Sequence, residues 1–251
     1  MINVGDVFSY IDGFAPFGTQ ASWDNSGVLL GESGAQIRKI LVCLDLTLEA
    51  ANFAAEHACD LIVSHHPVIF RAVKSIPDYS VLRPLIKNDI SVISVHTNLD
   101  KCAGGVNDTL CGMLFGEYRK CGDAIAEGFL NVGRFEDALC PEDVASLLKQ
   151  RLGGPVRYIC GGPKVKNAAV CAGSGGELFK EAAALGCDAL ITGDADHHDF
   201  LDAAALGISL FAAGHYETEY PIVCVLGERL SIRFPEASVI EYPRIQTIKT
   251  L

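Results

Sequence analysis

The 251-residue chain lacks any apolar run of the ~18 residues that a bilayer-spanning helix requires. Its longest candidate, Ala203 to Ala213, suits an ordinary buried segment. The opening stretch MINVGDVFSYIDGF has neither the basic start nor the small-residue cleavage site of a secretory leader. A cytoplasmic protein is therefore expected, with no membrane partner. Runs of Lys and Arg are missing too. There are 20 basic against 31 acidic residues, for a formal net charge of −11. A protein that grips nucleic acid needs a basic face to neutralise phosphates, so nucleic acid is not an expected partner. A small phosphorylated substrate stays open, because a bound metal supplies positive charge locally. No Walker-type phosphate loop and no Rossmann glycine fingerprint occur. No Cys-x-x-Cys pair occurs either. The ten cysteines lie singly, several in apolar contexts such as LVCL and AVCA, and read as buried, reduced thiols.

What is present is a packed, repetitive chain, 49% hydrophobic and only 20% charged. The segment from Lys39 to Pro67 resembles the segment from Asn167 to Ala195. Cys43 and Cys59 are separated by the same sixteen positions as Cys171 and Cys187. Each segment offers an apolar strand, an Ala-rich helix and a second apolar strand beginning Cys-Asp. Apolar strands alternating with amphipathic helices indicate parallel sheet covered by helices. The strand from Ile90 to Val95 is matched by the one from Ile208 to Ala213. Each is followed by a histidine and, four residues later, a carboxylate: His96 with Asp100, and His215 with Glu219. Between the repeats, GFLNVGRF reads as a strand. Pro141 opens a helix that Gly153 ends. The tail offers a helix around Tyr220 to Leu230 and a strand near Ala237 to Tyr242. The expected fold is α/β, with two pseudo-symmetric units, each a sheet flanked by helices, interlinked in one compact chain. Residues 1–122 plus 216–251 form the first unit and 123–215 the second.

In open α/β sheets, ligands bind beyond the carboxyl ends of the strands. Six of the seven histidines fall there; His57, at the end of an Ala-rich helix, does not. Neighbouring residues on a regular strand point to opposite faces, but past the strand end both His65 and His66 are able to turn into one pocket. Pro67 keeps the chain from entering a helix directly. The alternative for this pair is one buried and one exposed imidazole. Asp108 or Asn107 suits a helix cap, as does Asp194 or Asp196 before His197. His215 and Glu219, at i and i+4, share a helix face. Together, His65, His66, Asp100, His215 and Glu219 exceed the needs of one four-coordinate ion, and carboxylates bridge. Two divalent ions are the natural expectation. The mixed N/O donors suit Zn, Fe, Mn, Co or Ni. His96 and Glu217 are the candidate proton carriers. Gly173-Ser174-Gly175-Gly176 suits either an anion seat or a plain strand-to-helix turn.

At these residues the chain resembles the Nif-three-like family, also labelled GTP cyclohydrolase I type 2 homologs or dinuclear metal-centre hexameric proteins. Trp23-Asp24-Asn25-Ser26-Gly27 resembles its W-D-N-x-G motif, and Ser64 to Pro67 its S-H-H-P. His96 to Asp100 resembles its H-T-x-x-D, Thr192 to His198 its T-G-D-x-x-H-H, and Gly214 to Glu219 its G-H-x-x-x-E. The resemblance covers almost the whole chain, in the compact form without a long central insertion. It implies metal ligation by His65, His66, Asp100, His215 and Glu219, with His96, His197 and His198 nearby. It also implies a homohexamer and a metal-dependent hydrolase acting on a nucleotide or another phosphorylated small molecule. The competing expectation is a non-enzymatic metal-holding assembly or regulatory interaction protein.

Overall fold

A computed structural model describes residues 1–245 and divides them into two compact units. One comprises Met1–Ala103 with 222–245, the other Gly104–Pro221. These bounds differ from those expected from sequence, since residues 104–122 and 216–221 group with the second unit. The reason is packing. Leu110, Cys111 and Leu114 of helix Val106–Leu114 join a core with Phe135, Val165 and Ile191 of the second sheet. Residues 246–251, expected with the first unit, lie outside the described residues. No helix among the described residues is long and apolar enough to cross a membrane.

The first unit holds a five-stranded sheet. Its order is Ser238–Glu241, Lys39–Cys43, Leu61–Ser64, Ser91–Ser94 and Gly27–Leu30. All neighbours are parallel except the last pair. The three central strands are buried along their length, save for partly covered Lys39. That explains their near-continuous apolar sequence. Ala50, Ala51 and Ala54 of helix Leu48–Glu56 pack on Leu41, Ile62 and Val92. Thr47 begins that helix by accepting a bond from the Ala50 amide at 3.2 Å. His57 ends it, with Nδ1 2.8 Å from the Phe53 carbonyl and its ring stacked on Phe53.

The second unit holds a six-stranded sheet in the order Glu117–Lys120, Asn131–Leu139, Val165–Ser174, Ala189–Asp194, Ser209–Ala212, Arg157–Ile159. Its middle three strands are parallel. Alternate residues serve opposite faces: Val170, Ile191 and Phe211 enter one core, Cys171, Leu190 and Leu210 the other. The expected strand near Gly128 begins only at Asn131, because Ala126–Gly128 forms a tight turn with left-handed Ala126 and Glu127. Helix Pro141–Leu152 ends at Gly153, whose φ of 83° is the left-handed conformation that glycine adopts without strain.

The Cys-Asp element of the repeat has a structural cause. Asp60 Oδ2 accepts from the Arg38 and Lys39 amides at 2.8 and 3.0 Å. Asp188 Oδ2 accepts from the Lys166 and Asn167 amides, both at 2.9 Å. Each carboxylate thus fastens the start of the preceding strand, and each fixes the register of its own. Replacing Asp60 or Asp188 by Ala should each cost about 1–2 kcal/mol, read as a lower urea midpoint, since both are partly solvated. A cost in only one of the two would break the structural equivalence.

Candidate metal-ligand groups

Strand Leu61–Ser64 stops one residue before His65. The backbone stays extended, with the His65 and His66 amides donating to the carbonyls of Cys43 and Leu44 at 3.0 Å each. Ser64 Oγ donates to the His66 carbonyl at 2.9 Å, which bends the chain as the strand ends. Both imidazoles consequently face one cluster, their ring centres 4.9 Å apart. His65 is fully buried and His66 partly exposed. No helix follows Pro67 until Leu82–Lys87.

Each imidazole is held by its Nδ1. His65 Nδ1 donates to the Val95 carbonyl at 2.8 Å. His66 Nδ1 lies 2.7 Å from Asp45 Oδ1, and His96 Nδ1 2.8 Å from Asp24 Oδ1. An acceptor at Nδ1 fixes the ring and turns Nε2 toward whatever lies opposite, the arrangement metal-binding histidines use. His65, His66 and His96 each offer a ligand atom, all within 4.8 Å of one another. Asp100 adds a carboxylate, with Oδ1 3.5 Å from His65 Nε2. It comes one turn after His96 on the short helix Thr97–Lys101. His96, expected as a proton carrier, thus stands where it also qualifies as a nitrogen donor.

Asp24 organises this cluster without joining it. Its side chain is fully covered. It accepts from His96 Nδ1, from the Thr97 amide at 3.1 Å, from Thr97 Oγ1 at 2.5 Å and from Ser26 Oγ at 2.9 Å. Burial alone would push its pKa up. The bonds from His96, Thr97 and Ser26 outweigh that and hold the carboxyl far below the usual range. The Trp-Asp-Asn-Ser segment therefore works through Asp24 and Ser26, which fasten His96.

In the second unit, strand Ala189–Asp194 ends at Asp194, and helix His215–Glu219 follows strand Ser209–Ala212. His215 Nδ1 lies 2.8 Å from Asp194 Oδ2, and His215 Nε2 3.2 Å from Glu219 Oε2. Burial would lower the His215 pKa. The two carboxylates more than reverse this and raise it to about 10. A divalent cation beside Glu219 would replace that proton's positive charge, so the donors fit such an ion.

Glycines make room for this pair. Gly173 has φ of +68°, and a Cβ there would come within 2.2 Å of Glu219 Oε1 and 3.3 Å of His215 Nε2. A Cβ on Gly193 would meet the Gly173 carbonyl at 2.6 Å and His215 Cα at 2.7 Å. Thr192 Oγ1 donates to the Gly173 carbonyl at 3.1 Å and accepts from the Gly175 amide at 3.0 Å. The Thr-Gly-Asp segment thus pins a bulge, admits a helix and orients an imidazole. Gly173 belongs to this steric arrangement, a role that its place in a glycine-rich turn did not reveal.

The remaining candidates have other surroundings. His197 and His198 are exposed on helix His197–Ala205, which Asp196 and Asp199 cap reciprocally. Glu217 is buried, its carboxylate packed where side chains on Gly154 and Gly214 would be. Asp108 accepts from the Gly104 amide at 2.8 Å and from Asn131 Nδ2 at 2.9 Å, so it fastens the start of its helix, whose cap residue is Gly105. Asp45 was missed in the sequence; its one signal is its place just past a strand end.

The α/β fold of this chain is shared by known proteins. The family model described as Duf34/NIF3 (NGG1p interacting factor 3) matches residues 2–250. The chain belongs to that family. It is 31% identical over 242 residues to a GTP cyclohydrolase 1 type 2 homolog of Clostridium perfringens, with 92% of each chain covered. It is 36% identical over 236 residues to a GTP cyclohydrolase 1 type 2 of Helicobacter pylori, again with 92% of each covered. Among solved structures, Staphylococcus aureus hypothetical protein SA1388 superposes with a TM-score of 0.86 at 28% identity, covering 98% of this chain and 99% of that one. Reduced HcgD from Methanocaldococcus jannaschii gives 0.84 at 26% identity, covering 96% and 97%.

Two outcomes are expected. An unfolded aspartate titrates near ~3.9, and folded Asp24 titrates lower. Its stabilising contribution is complete above pH ~4 and fades as pH falls below that value. Asp24→Asn should therefore flatten the acid side of the stability–pH curve measured by urea unfolding, and Asp24→Ala should cost about 2–4 kcal/mol at neutral pH. Gly173→Ala, which displaces the Glu219 carboxylate, should weaken divalent-metal affinity by about 10–100-fold in calorimetric titration, with the circular dichroism spectrum retained.

Proposed function

We propose that the chain is a metal-dependent hydrolase whose ligands are His65, His66, Asp100, His215 and Glu219, binding two divalent ions, with a small phosphorylated molecule such as a nucleotide as substrate. The observation that carries this reading is common to the four imidazoles at the strand ends. His65, His66, His96 and His215 each have Nδ1 on an oxygen acceptor, so that each presents Nε2 outward from its support. The relatives named GTP cyclohydrolase 1 type 2 support a hydrolytic reaction on a purine nucleotide. Five N and O donors suit Zn, Fe, Mn, Co or Ni. Assembly into a homohexamer belongs to the same proposal.

Such cations would supply Lewis acidity toward a substrate oxygen and toward water. The chain's own residues supply the rest. Asp45, Asp24, Asp194 and the Val95 carbonyl keep the imidazoles in one tautomer and orientation. His96 takes the proton-carrying role at Nε2. Its link to Asp24 at Nδ1 holds the ring still and leaves Nε2 free to face a substrate, as general acid–base catalysis requires. Glu217 is the second proton-carrier candidate and rests on its place in the Gly-His-x-x-x-Glu segment.

Metal-reconstituted protein should turn over GTP, another nucleotide or a phosphoester, and Asp100→Ala and Glu219→Ala should each lower turnover at least ~100-fold. Turnover that survives both substitutions excludes this chemistry, and fewer than two ions per chain after reconstitution excludes the dinuclear set. His96→Ala separates its two roles: a proton carrier leaves the metal content intact while kcat falls, whereas a ligand takes an ion with it.

A further inference from the structure

Beside the imidazole cluster stand two large aromatic side chains that the metal chemistry does not use. Trp23 is 58% exposed and Phe70 47% exposed. Their ring centres are 6.1 Å apart, and they lie 6.2 and 6.4 Å from the His96 ring, which both meet edge-on. Folding ordinarily covers rings of this size. Left open beside a polar, imidazole-rich cluster, they offer two apolar ring faces, inclined at 59° to each other, to something that binds there.

The loop that carries Phe70 also carries charge. Arg71 follows it directly and Lys74 comes three residues later; both are exposed, and neither forms an ion pair among the described residues. They line an open depression of about 430 Å³ together with Ser75, Tyr79, Ser80 and apolar residues such as Val73 and Leu82, and no carboxylate contributes to that lining. The loop's one aspartate, Asp78, is 3.0 Å from Arg83. In a chain of net charge −11, a depression with two cations and no acid is a local patch of positive charge that attracts anions. Phe70 and Arg71 are consecutive residues, so one ring of the aromatic pair and the first of the two cations belong to the same loop.

We propose that Trp23 and Phe70 form a stacking platform for a planar heteroaromatic ring, and that Arg71 and Lys74 in the adjoining depression hold the anionic group of the same ligand. This deepens the hydrolase reading and rests on it for the location of the reacting centre, but binding on the platform needs no turnover. It assigns Trp23, Phe70, Arg71 and Lys74 as specificity residues. A ligand of this class, a nucleoside phosphate or a similar phosphorylated heterocycle, would lie with its ring beside His96.

The chain has a single tryptophan, so its fluorescence reports on the platform alone. Metal-loaded full-length protein is titrated with adenosine and guanosine 5′-monophosphates, with guanosine, and with ribose 5-phosphate. The monophosphates should quench Trp23 saturably, guanosine more weakly, and ribose 5-phosphate not at all. Phe70→Ala should weaken both the monophosphates and guanosine by about tenfold, as expected for loss of one stacking partner. Arg71→Ala combined with Lys74→Ala should weaken the monophosphates and leave guanosine unchanged. Both variants alter exposed side chains, and unchanged circular dichroism and metal content establish their fold. The proposal is overturned if no ring-bearing probe quenches saturably, or if Phe70→Ala binds the monophosphates as tightly as the parent. It is equally overturned if acrylamide fails to reach Trp23 in the unliganded protein, since a second copy would then cover the face. Turnover that fails while quenching persists rejects the hydrolase and leaves the platform standing.

Discussion

Everything at the strand ends depends on the register of parallel pairing. In the first unit Cys43 lies opposite Ser64, Ser64 opposite Ser94, and Ser94 opposite Gly27. One line of residues across four strands thus ends the sheet flush. The chain just past that line supplies Asp45, His65, His66 and His96, and the antiparallel edge strand, running the other way, supplies Asp24 just before Gly27. A one-residue slip of any of these strands would turn its side chains to the opposite face. The carboxylate of Asp60 guards against such a slip by holding the first amides of the neighbouring strand. Asp188 does the same in the second unit.

The imidazoles translate that register into chemistry. Backbone pairing places a residue to within about an ångström, but ring orientation needs a second contact, and each ring has one at Nδ1. Three of the four supports are carboxylates, Asp45, Asp24 and Asp194. At His215 two carboxylates, Asp194 and Glu219, lift the pKa to about 10 despite burial. The same carboxylates explain part of the acidic balance of the chain.

The repeat, the parallel core and the histidine-bearing strand ends were legible in the sequence because they arise from local periodicity. Apolar runs ended in His, Asp or Glu, and the Cys-Asp spacing recurred. Six of the ten cysteines are indeed buried, and burial raises the thiol pKa of Cys59 and Cys187 to about 11 and of Cys111 to about 12. What was not legible depends on partners distant in sequence. Asp45 and His66 are 21 positions apart, and Gly173 matters only because Glu219 and His215 come close to it. The helix Val106–Leu114 follows the first repeat in sequence yet packs on strands that come after it, so periodicity could not assign it to a unit.

The first unit is interrupted, and this has a consequence for the newborn chain. Strand Lys39–Cys43 is flanked on one side by Leu61–Ser64 and on the other by Ser238–Glu241. On the ribosome its inner neighbour emerges almost at once, but its outer neighbour follows about two hundred residues later, a delay of ~10–40 s at ordinary synthesis rates. Over that interval the whole second unit has been made and is able to collapse by itself. The first unit waits with a bare β-edge, the kind of surface that recruits stray strands. Its last strand therefore acts as a closing latch, and the time before it arrives is when a chaperone would matter most to this protein.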